Sequence, residues 1–234
     1  MLDDGAAATV VVPTKNEAQN IVPFLASLPP DIELIVVDSS DDETAALIAA
    51  LRPAHTRIIT AQVNIPTARQ MGAEVARTPW VVFTDADVVF THDYFERLRT
   101  YSQVHALYGL KQSADGYPHY YRWFTSGQRV LDWCGVPAVS GSNFVVRRDV
   151  LMAVGGFDVA LSCNEDSELG WRIARSGYTI RLATDLVVFA RDQRRLERGA
   201  TRKMLHSLVR CTLLYTGLMP KKWRSSDWGY WADA

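Results

Sequence analysis

Two carboxylates, Asp85 and Asp87, stand one residue apart where an apolar run over residues 80–83 ends. The run reads as a buried strand. In extended backbone, residues i and i+2 point the same way, so the two charges repel unless a cation lies between them. Mg²⁺ and Mn²⁺ accept such hard oxygen ligands and often complete their shell with substrate phosphates. The chemistry implied is capture of a diphosphate through a divalent metal. A lone D-x-D pattern is common by chance, so its neighbours matter. The run at 8–14 ends in Pro13-Thr14-Lys15-Asn16-Glu17, and the run at 32–38 ends in Asp38-Ser39-Ser40-Asp41-Asp42. Three polar clusters at strand ends describe one ligand-binding edge, because open α/β sheets bind ligands outside the carboxyl ends of their strands.

The elements that must position these residues are legible in the first half. Short β-branched runs at 8–14, 32–38, 57–61 and 80–85 alternate with helical patterns at 16–28, 40–51 and 65–77. Ser40 or Asp41 is the expected cap of the second helix, and Pro66 opens the third near its first turn. This alternation predicts a doubly wound α/β sheet with helices on both faces. The second half is less regular. We expect a strand over 105–112, an aromatic loop over 115–123, a turn leading into a strand over 138–148, and a helix over 164–177. Short strands follow at 178–183 and 186–190, and a final helix spans 196–219. On the helix at 164–177, Asp166 shares a face with Leu169, Gly170 and Ile173, so a carboxylate on its first turn is directed inward or into a cleft. Glu168 and Arg172 have the spacing of an outward ion pair.

Six motifs then stand in register: "VVVPTKNE", "VVDSSDDET", "ARQMGAEVA", "WVVFTDAD", "SGSNFVVRRDVLMAVGGFD" and "NEDSELGWRIARSG". Over roughly residues 8–190 the chain resembles the family 2 glycosyltransferases. The resemblance implies a GT-A fold, Rossmann-like and doubly wound with a mixed sheet, and inverting transfer from a nucleotide-diphosphate sugar. It implies a nucleotide-binding half over 8–90 and an acceptor half over 91–190, within one domain spanning 1–190. By resemblance, Pro13, Thr14, Glu17, Asp38 and Asp42 line the nucleoside pocket, and Arg69 lies near the nucleotide. Asp85, Ala86 and Asp87 form the metal motif that holds Mn²⁺ or Mg²⁺, with Asp87 as the more direct ligand. Gly141, Ser142 and Asn143 lie at the donor–acceptor junction. Asp166 matches the general base, with Glu165 supporting it or meeting acceptor hydroxyls. Gln70 stands where the family motif usually has Asn.

Composition bounds the rest. With 48% apolar and 22% charged residues in 234, the chain is long enough for one large domain and a small extension. Segment 191–224 holds ten basic residues against two acidic ones, a net of +8, so the remainder sums to −9 within a chain total of −1. The segment 191–234 is therefore expected to be a basic, amphipathic helical extension, docked on the body or resting on an anionic membrane surface. Its apolar positions Leu205, Leu208, Val209 and Leu213 have helical spacing. Nucleic acid is not an expected partner, since no binding motif accompanies the basic residues. The acidic start lacks the basic region of a signal peptide, and three scattered cysteines fit a reducing compartment. The expected location is cytoplasmic, peripheral on the membrane when the acceptor is lipid-linked. The acceptor is a hydroxyl or a phosphate, a polyprenyl phosphate among them. Two other readings stand beside transfer. A sugar-nucleotide nucleotidyltransferase would need a glycine-rich phosphate loop, and "PTKNEAQN" has no glycine. A non-catalytic nucleotide-sugar binder would not need both acidic pairs.

Overall fold

The computed structural model describes residues 7–114, 116–191 and 200–226. Eight strands form one mixed sheet in the order β3-β2-β1-β4-β7-β6-β8-β5. These are β1 (Ala8–Thr14), β2 (Glu33–Asp38), β3 (Thr56–Thr60), β4 (Trp80–Phe83), β5 (Val88–Phe90), β6 (Ala106–Ser113), β7 (Phe144–Arg147) and β8 (Ile180–Ala190). The first four run parallel. β7 runs antiparallel between β4 and β6, β8 lies parallel to β6, and β5 closes the edge antiparallel to β8.

Direction decides what meets at the site. The carboxyl ends of β1, β2, β4, β6 and β8 share one edge of the sheet, and the antiparallel β7 brings its amino end there. Residues 141–143 therefore arrive beside Asp85, although they are more than fifty residues away in sequence.

Both faces of the sheet are covered, as the β-branched runs require. Val10, Val12, Leu34, Val36 and Val82 face one layer, which contains α1 (Ile21–Ala26), α2 (Thr44–Leu51) and α4 (Tyr94–Leu98). The alternate residues Val11, Ile35, Val37, Val81 and Phe83 face the other layer. That layer holds α3 (Ile65–Val75), α6 (Arg148–Ala153) and α7 (Glu165–Arg175). The remaining helices are α5 (Pro118–Trp133), α8 (Ala200–Tyr215) and α9 (Lys221–Arg224).

The carrier of Arg69, α3, is built as its sequence suggests. Asn64 accepts a hydrogen bond from the Thr67 amide at 3.0 Å, and Pro66 occupies the first turn. Gly72 lets the helix close on β1, because a Cβ there would come within 2.3 Å of Val11 Cγ1.

Several expectations are corrected. The first helix is shorter than 16–28, and residues 17–20 form a turn into it. Neither Ser40 nor Asp41 caps α2. Glu43 occupies the N-cap position without a side-chain cap bond; Asp42, just before it, accepts from the Thr44 amide at 3.0 Å and the Thr44 hydroxyl at 2.5 Å, while Ser40 and Asp41 are bonded to Asn16. The aromatic loop is the start of α5. The two short strands at the end are one strand, β8, whose pairing with β6 slips between Gly109 and Leu110. The Glu168–Arg172 pair exists at 2.7 Å but does not point outward, since Arg172 also donates to the carbonyls of Val154 and Gly156. Much of the basic C-terminal extension, including residues 192–199 and 227–234, lies outside the described residues; in its described part Arg210 is buried, while Leu205, Leu208, Val209, Lys221 and Lys222 are exposed.

Candidate active site

The site is built around a buried arginine. Arg69 donates to Asp85 Oδ1 at 2.7 Å through one terminal nitrogen and to Glu165 Oε1 through the other. Asp85 accepts a further bond from Ser142 Oγ at 2.5 Å, and Lys111 Nζ donates to that hydroxyl at 2.9 Å. Part of the repulsion that the sequence posed at Asp85 is thus relieved by a protein cation. The side chains of Arg69 and Glu165 are 4% and 8% exposed, and that of Asp85 is 25% exposed.

Glycine at 141 is required by this arrangement. A Cβ there would stand 2.3 Å from Arg69 Nη1. Its amide donates to Asp166 Oδ2 at 2.5 Å, and the Ser167 amide donates to Oδ1 at 2.7 Å. Each carboxylate oxygen keeps a second acceptor position, so Asp166 is oriented and still able to take a proton. Both acids lie in the first turn of α7, where the helix dipole favours negative charge.

Electrostatics separates the members of the cluster. Burial pushes the Glu165 carboxyl up to about 7, with Arg69 opposing and Asp166 and Asp85 adding to the rise. Burial disfavours the Arg69 cation, but Asp85, Glu165 and Asp166 together hold it above its ordinary range. A guanidinium is effectively always charged. Arg69 is therefore the fixed charge, and Glu165 is the group that accepts a proton as pH falls.

A second cluster stands at the ends of β1 and β2. Thr14 Oγ1 and Ser40 Oγ donate to Asp38 Oδ1 at 2.6 and 2.7 Å, and Asp38 is buried. The Glu17 amide donates to Thr44 Oγ1 at 2.9 Å, which ties this turn to α2. The hydroxyl of Thr44 holds the Asp42 carboxyl below the usual carboxylate range. Pro13 lies between, partly buried.

Sequence reasoning brought Asp85, Arg69, Glu165, Asp166, Gly141 and Ser142 to one place, and the structure holds them together by the bonds just given. Asn143 is buried behind them. Tyr94 OH donates to Asn143 Oδ1 at 2.6 Å, and the Asn143 amide donates to the Leu110 and Leu186 carbonyls at 3.1 and 3.0 Å. Its side chain is fully used as a brace between β6, β7 and β8. Ala86 and Asp87 are buried beside β8, where Asp87 O accepts from the Arg191 amide at 2.8 Å. Lys111 and Tyr94 were not foreseen; the direction of β6 is the signal that would have found Lys111. Gln70 braces a turn: its Oε1 accepts from the Phe157 amide at 2.9 Å, beside Gly156 at φ +68°.

Among the described residues, no group of three His, Cys, Asp or Glu side chains could hold a metal by itself. The acidic pair nevertheless fits an oxygen-seeking dication that takes most of its shell from phosphates and water. Both Asp85 oxygens accept protein hydrogen bonds, from Arg69 and from Ser142.

The profile of Glycosyl transferase family 2 matches residues 9–155. The chain belongs to that family. A second profile, Glycosyl transferase family 21, matches residues 119–220. The pre-mycofactocin glycosyltransferase of Mycobacterium tuberculosis is 27% identical over 208 residues, covering 80% of this chain and 43% of that protein. The succinoglycan biosynthesis protein ExoA of Rhizobium meliloti is 25% identical over 214 residues, covering 79% of this chain and 64% of its own length. The chain thus spans about half of the curated relatives it matches. The fold is GT-A. It superposes on a mannosyltransferase from Pyrobaculum calidifontis, solved with GDP-Man and Mn²⁺, with a TM-score of 0.68 at 23% identity, over 96% of this chain and 74% of that one. It also matches S. aureus TarS 1–349 in complex with UDP-GlcNAc at a TM-score of 0.65 and 18% identity, over 80% and 59% of the two chains.

Proposed function

We propose that this member of family 2 is an inverting glycosyltransferase that moves a sugar from a nucleotide-diphosphate donor to a hydroxyl or phosphate acceptor. The observation that carries this reading is the clamp of Arg69 between Asp85 and Glu165, with Asp166 held by the Gly141 amide at the same sheet edge. The structural neighbours solved with GDP-Man and with UDP-GlcNAc support a sugar-nucleotide donor as the class.

In this mechanism, the turns after β1 and β2 receive the nucleoside through Pro13, Thr14, Glu17, Asp38 and Asp42. Asp87 would hold a divalent cation, Mn²⁺ or Mg²⁺, with Asp85 fixed beside it. When bound, the ion neutralises charge that develops on the departing diphosphate. Arg69, beside the nucleotide in this reading, keeps the two acidic segments in register, so the reacting groups need no reorganisation. Gly141 and Ser142 border the sugar, and Lys111 adds positive charge beside Ser142. Asp166 takes the proton from the acceptor hydroxyl as that oxygen attacks from the face opposite the diphosphate. A single displacement inverts the anomeric centre. For a phosphate acceptor, already ionised, Asp166 orients rather than deprotonates. The catalytic domain in this reading is 1–190, and 191–234 is an accessory segment that brings the acceptor near.

A thermal-shift panel tests the donor half. UDP-, GDP- and dTDP-sugars are each added with and without Mn²⁺. One nucleotide class is expected to raise the melting temperature, and Mn²⁺ to enlarge the rise, since a ligand that binds only the folded state stabilises it. Asp87→Ala is expected to abolish the Mn²⁺ increment and keep the fold. Equal stabilisation of Asp87→Ala and wild type by Mn²⁺ plus donor would overturn the metal assignment.

A further inference from the structure

Two helices of this chain expose large apolar side chains beside charged ones. In α5 the buried positions are Tyr121 and Gln128, and Gln128 Nε2 donates to the Ala138 carbonyl at 2.9 Å. Its exposed positions include the apolar Trp123, Val130, Leu131 and Trp133, with Val130 59% and Trp133 88% exposed, along with Arg122, Arg129 and Asp132. Among the described side chains of α8, Arg210 is buried, and its guanidinium donates to the Ser226 carbonyl at 2.5 Å and so latches the following turn onto the helix. Leu205 and Leu208 face out, each 61% exposed. An amphipathic helix normally buries its apolar stripe. Helices that leave Trp, Val and Leu outside are suited to an apolar environment beyond the protein.

Charge identifies that environment. Arg122, Arg129 and Trp133 stand at i, i+7 and i+11 of α5, so both exposed arginines flank the apolar face. Lys221 and Lys222 are exposed just after α8. The segment 191–224 carries +8, while the rest of the chain sums to −9. Few surfaces combine apolar contact with negative charge over a broad area. A bilayer with anionic headgroups does: acyl chains take Trp, Val and Leu, and phosphates take Arg and Lys. Tyr215 OH donates to the Pro137 carbonyl at 3.3 Å, which joins the end of α8 to the loop after α5. Cys211 and Tyr215 also lie at the Ser167 hydroxyl, one residue from Asp166.

We infer that the outer faces of α5 and α8 form a docking surface for an anionic lipid bilayer. The inference stands on exposure and charge and does not depend on the donor or the metal. Among the described residues no helix is long and apolar enough to cross a membrane, so the mode of binding they support is interfacial.

Co-sedimentation with vesicles tests this, using the full chain and vesicles of phosphatidylcholine with or without 30% phosphatidylserine. Wild type is expected to pellet with anionic vesicles at low salt, and poorly with neutral ones or at high salt. Val130→Ser with Trp133→Ser is expected to weaken binding by about tenfold or more. Lys221→Gln with Lys222→Gln is expected to weaken it by about fivefold per charge. Asp87→Ala is expected to bind vesicles like wild type, which separates this surface from the donor site. Circular dichroism and melting temperature of each variant verify the fold. No pelleting of folded wild type with anionic vesicles at low salt overturns the proposal. So does pelleting that the Val130/Trp133 variant leaves unchanged. A concentration-dependent dimer, lost in that variant and indifferent to lipid, would assign the face to a second copy instead.

Discussion

Replacing Arg69 with Met tests the clamp at the centre of the site. The substitution keeps length and apolar stem and removes the cation that Asp85 and Glu165 share. Breaking a buried ion pair by deleting one partner costs about 3–5 kcal/mol, since it strands the other charge. Here the two stranded groups differ. Asp85 is a quarter exposed and keeps Ser142, so water and that hydroxyl take over part of the loss. Glu165 is buried beside Asp166, and in wild type its carboxyl is already raised to about 7. Without Arg69 it takes up a proton throughout the neutral range. Wild type gives that proton up between pH 5.5 and 7.5, so the gap between the two proteins narrows by about 1 kcal/mol at the lower pH. Urea unfolding of wild type, Arg69→Met and Arg69→Met/Glu165→Gln at both pH values measures this. We expect a loss of about 3–5 kcal/mol at pH 7.5 for the single variant, a smaller loss at pH 5.5, and recovery of about 1–3 kcal/mol in the double variant. A loss under about 1 kcal/mol, or no recovery on adding Glu165→Gln, would refute the idea that Arg69 and Glu165 are one buried unit.

Two further outcomes follow from the same geometry. The folded Glu165 carboxyl titrates near 7 against an ordinary 4.5, so the native state holds its proton more tightly than the unfolded chain. Its contribution to stability is therefore full below about pH 4.5 and is lost as pH rises through 7; Glu165→Gln is expected to flatten that part of the stability–pH curve, and an unchanged slope counts against it. Tyr94→Phe leaves Asn143 Oδ1 buried without its 2.6 Å donor, and chemical denaturation is expected to register a loss of about 1–3 kcal/mol; a loss below about 0.5 kcal/mol would mean that the brace is not needed.

The first half of the sheet was legible in the sequence because parallel strands buried on both faces must be continuous apolar runs. Four such runs, three of them closed by a polar cluster, announced the sheet and pointed to one edge of it. The second half was harder for specific reasons. α5 reads as a loop because Pro118 and a cluster of aromatics open it, and because its polar Gln128 points in while its tryptophans point out. Periodicity then gives the wrong face. β8 reads as two strands because polar Thr184 and Asp185 interrupt it where its pairing with β6 slips. The clamp itself had no local signal, since Arg69 and Glu165 are separated by 96 positions. A hint existed: Arg69 is a lone arginine on the small-residue face of α3, among Ala68, Gly72 and Ala73. An arginine on a face that must be buried requires acids from elsewhere, and the only question was which ones. Helical periodicity singled out Asp166 as the acid directed inward or into a cleft, whereas the most deeply buried acid of α7 is its neighbour Glu165.

The most direct test of the account is Asp166→Asn, measured for donor binding and for transfer in the same preparation. Asn keeps the shape and can still accept from the Gly141 and Ser167 amides through its one oxygen, but it cannot take a proton. We expect donor affinity within about threefold of wild type and transfer to a hydroxyl acceptor reduced by about 10²–10⁴-fold, the usual contribution of a positioned base. Transfer that persists within about tenfold of wild type, with donor binding intact, would contradict the assignment of Asp166 as the base.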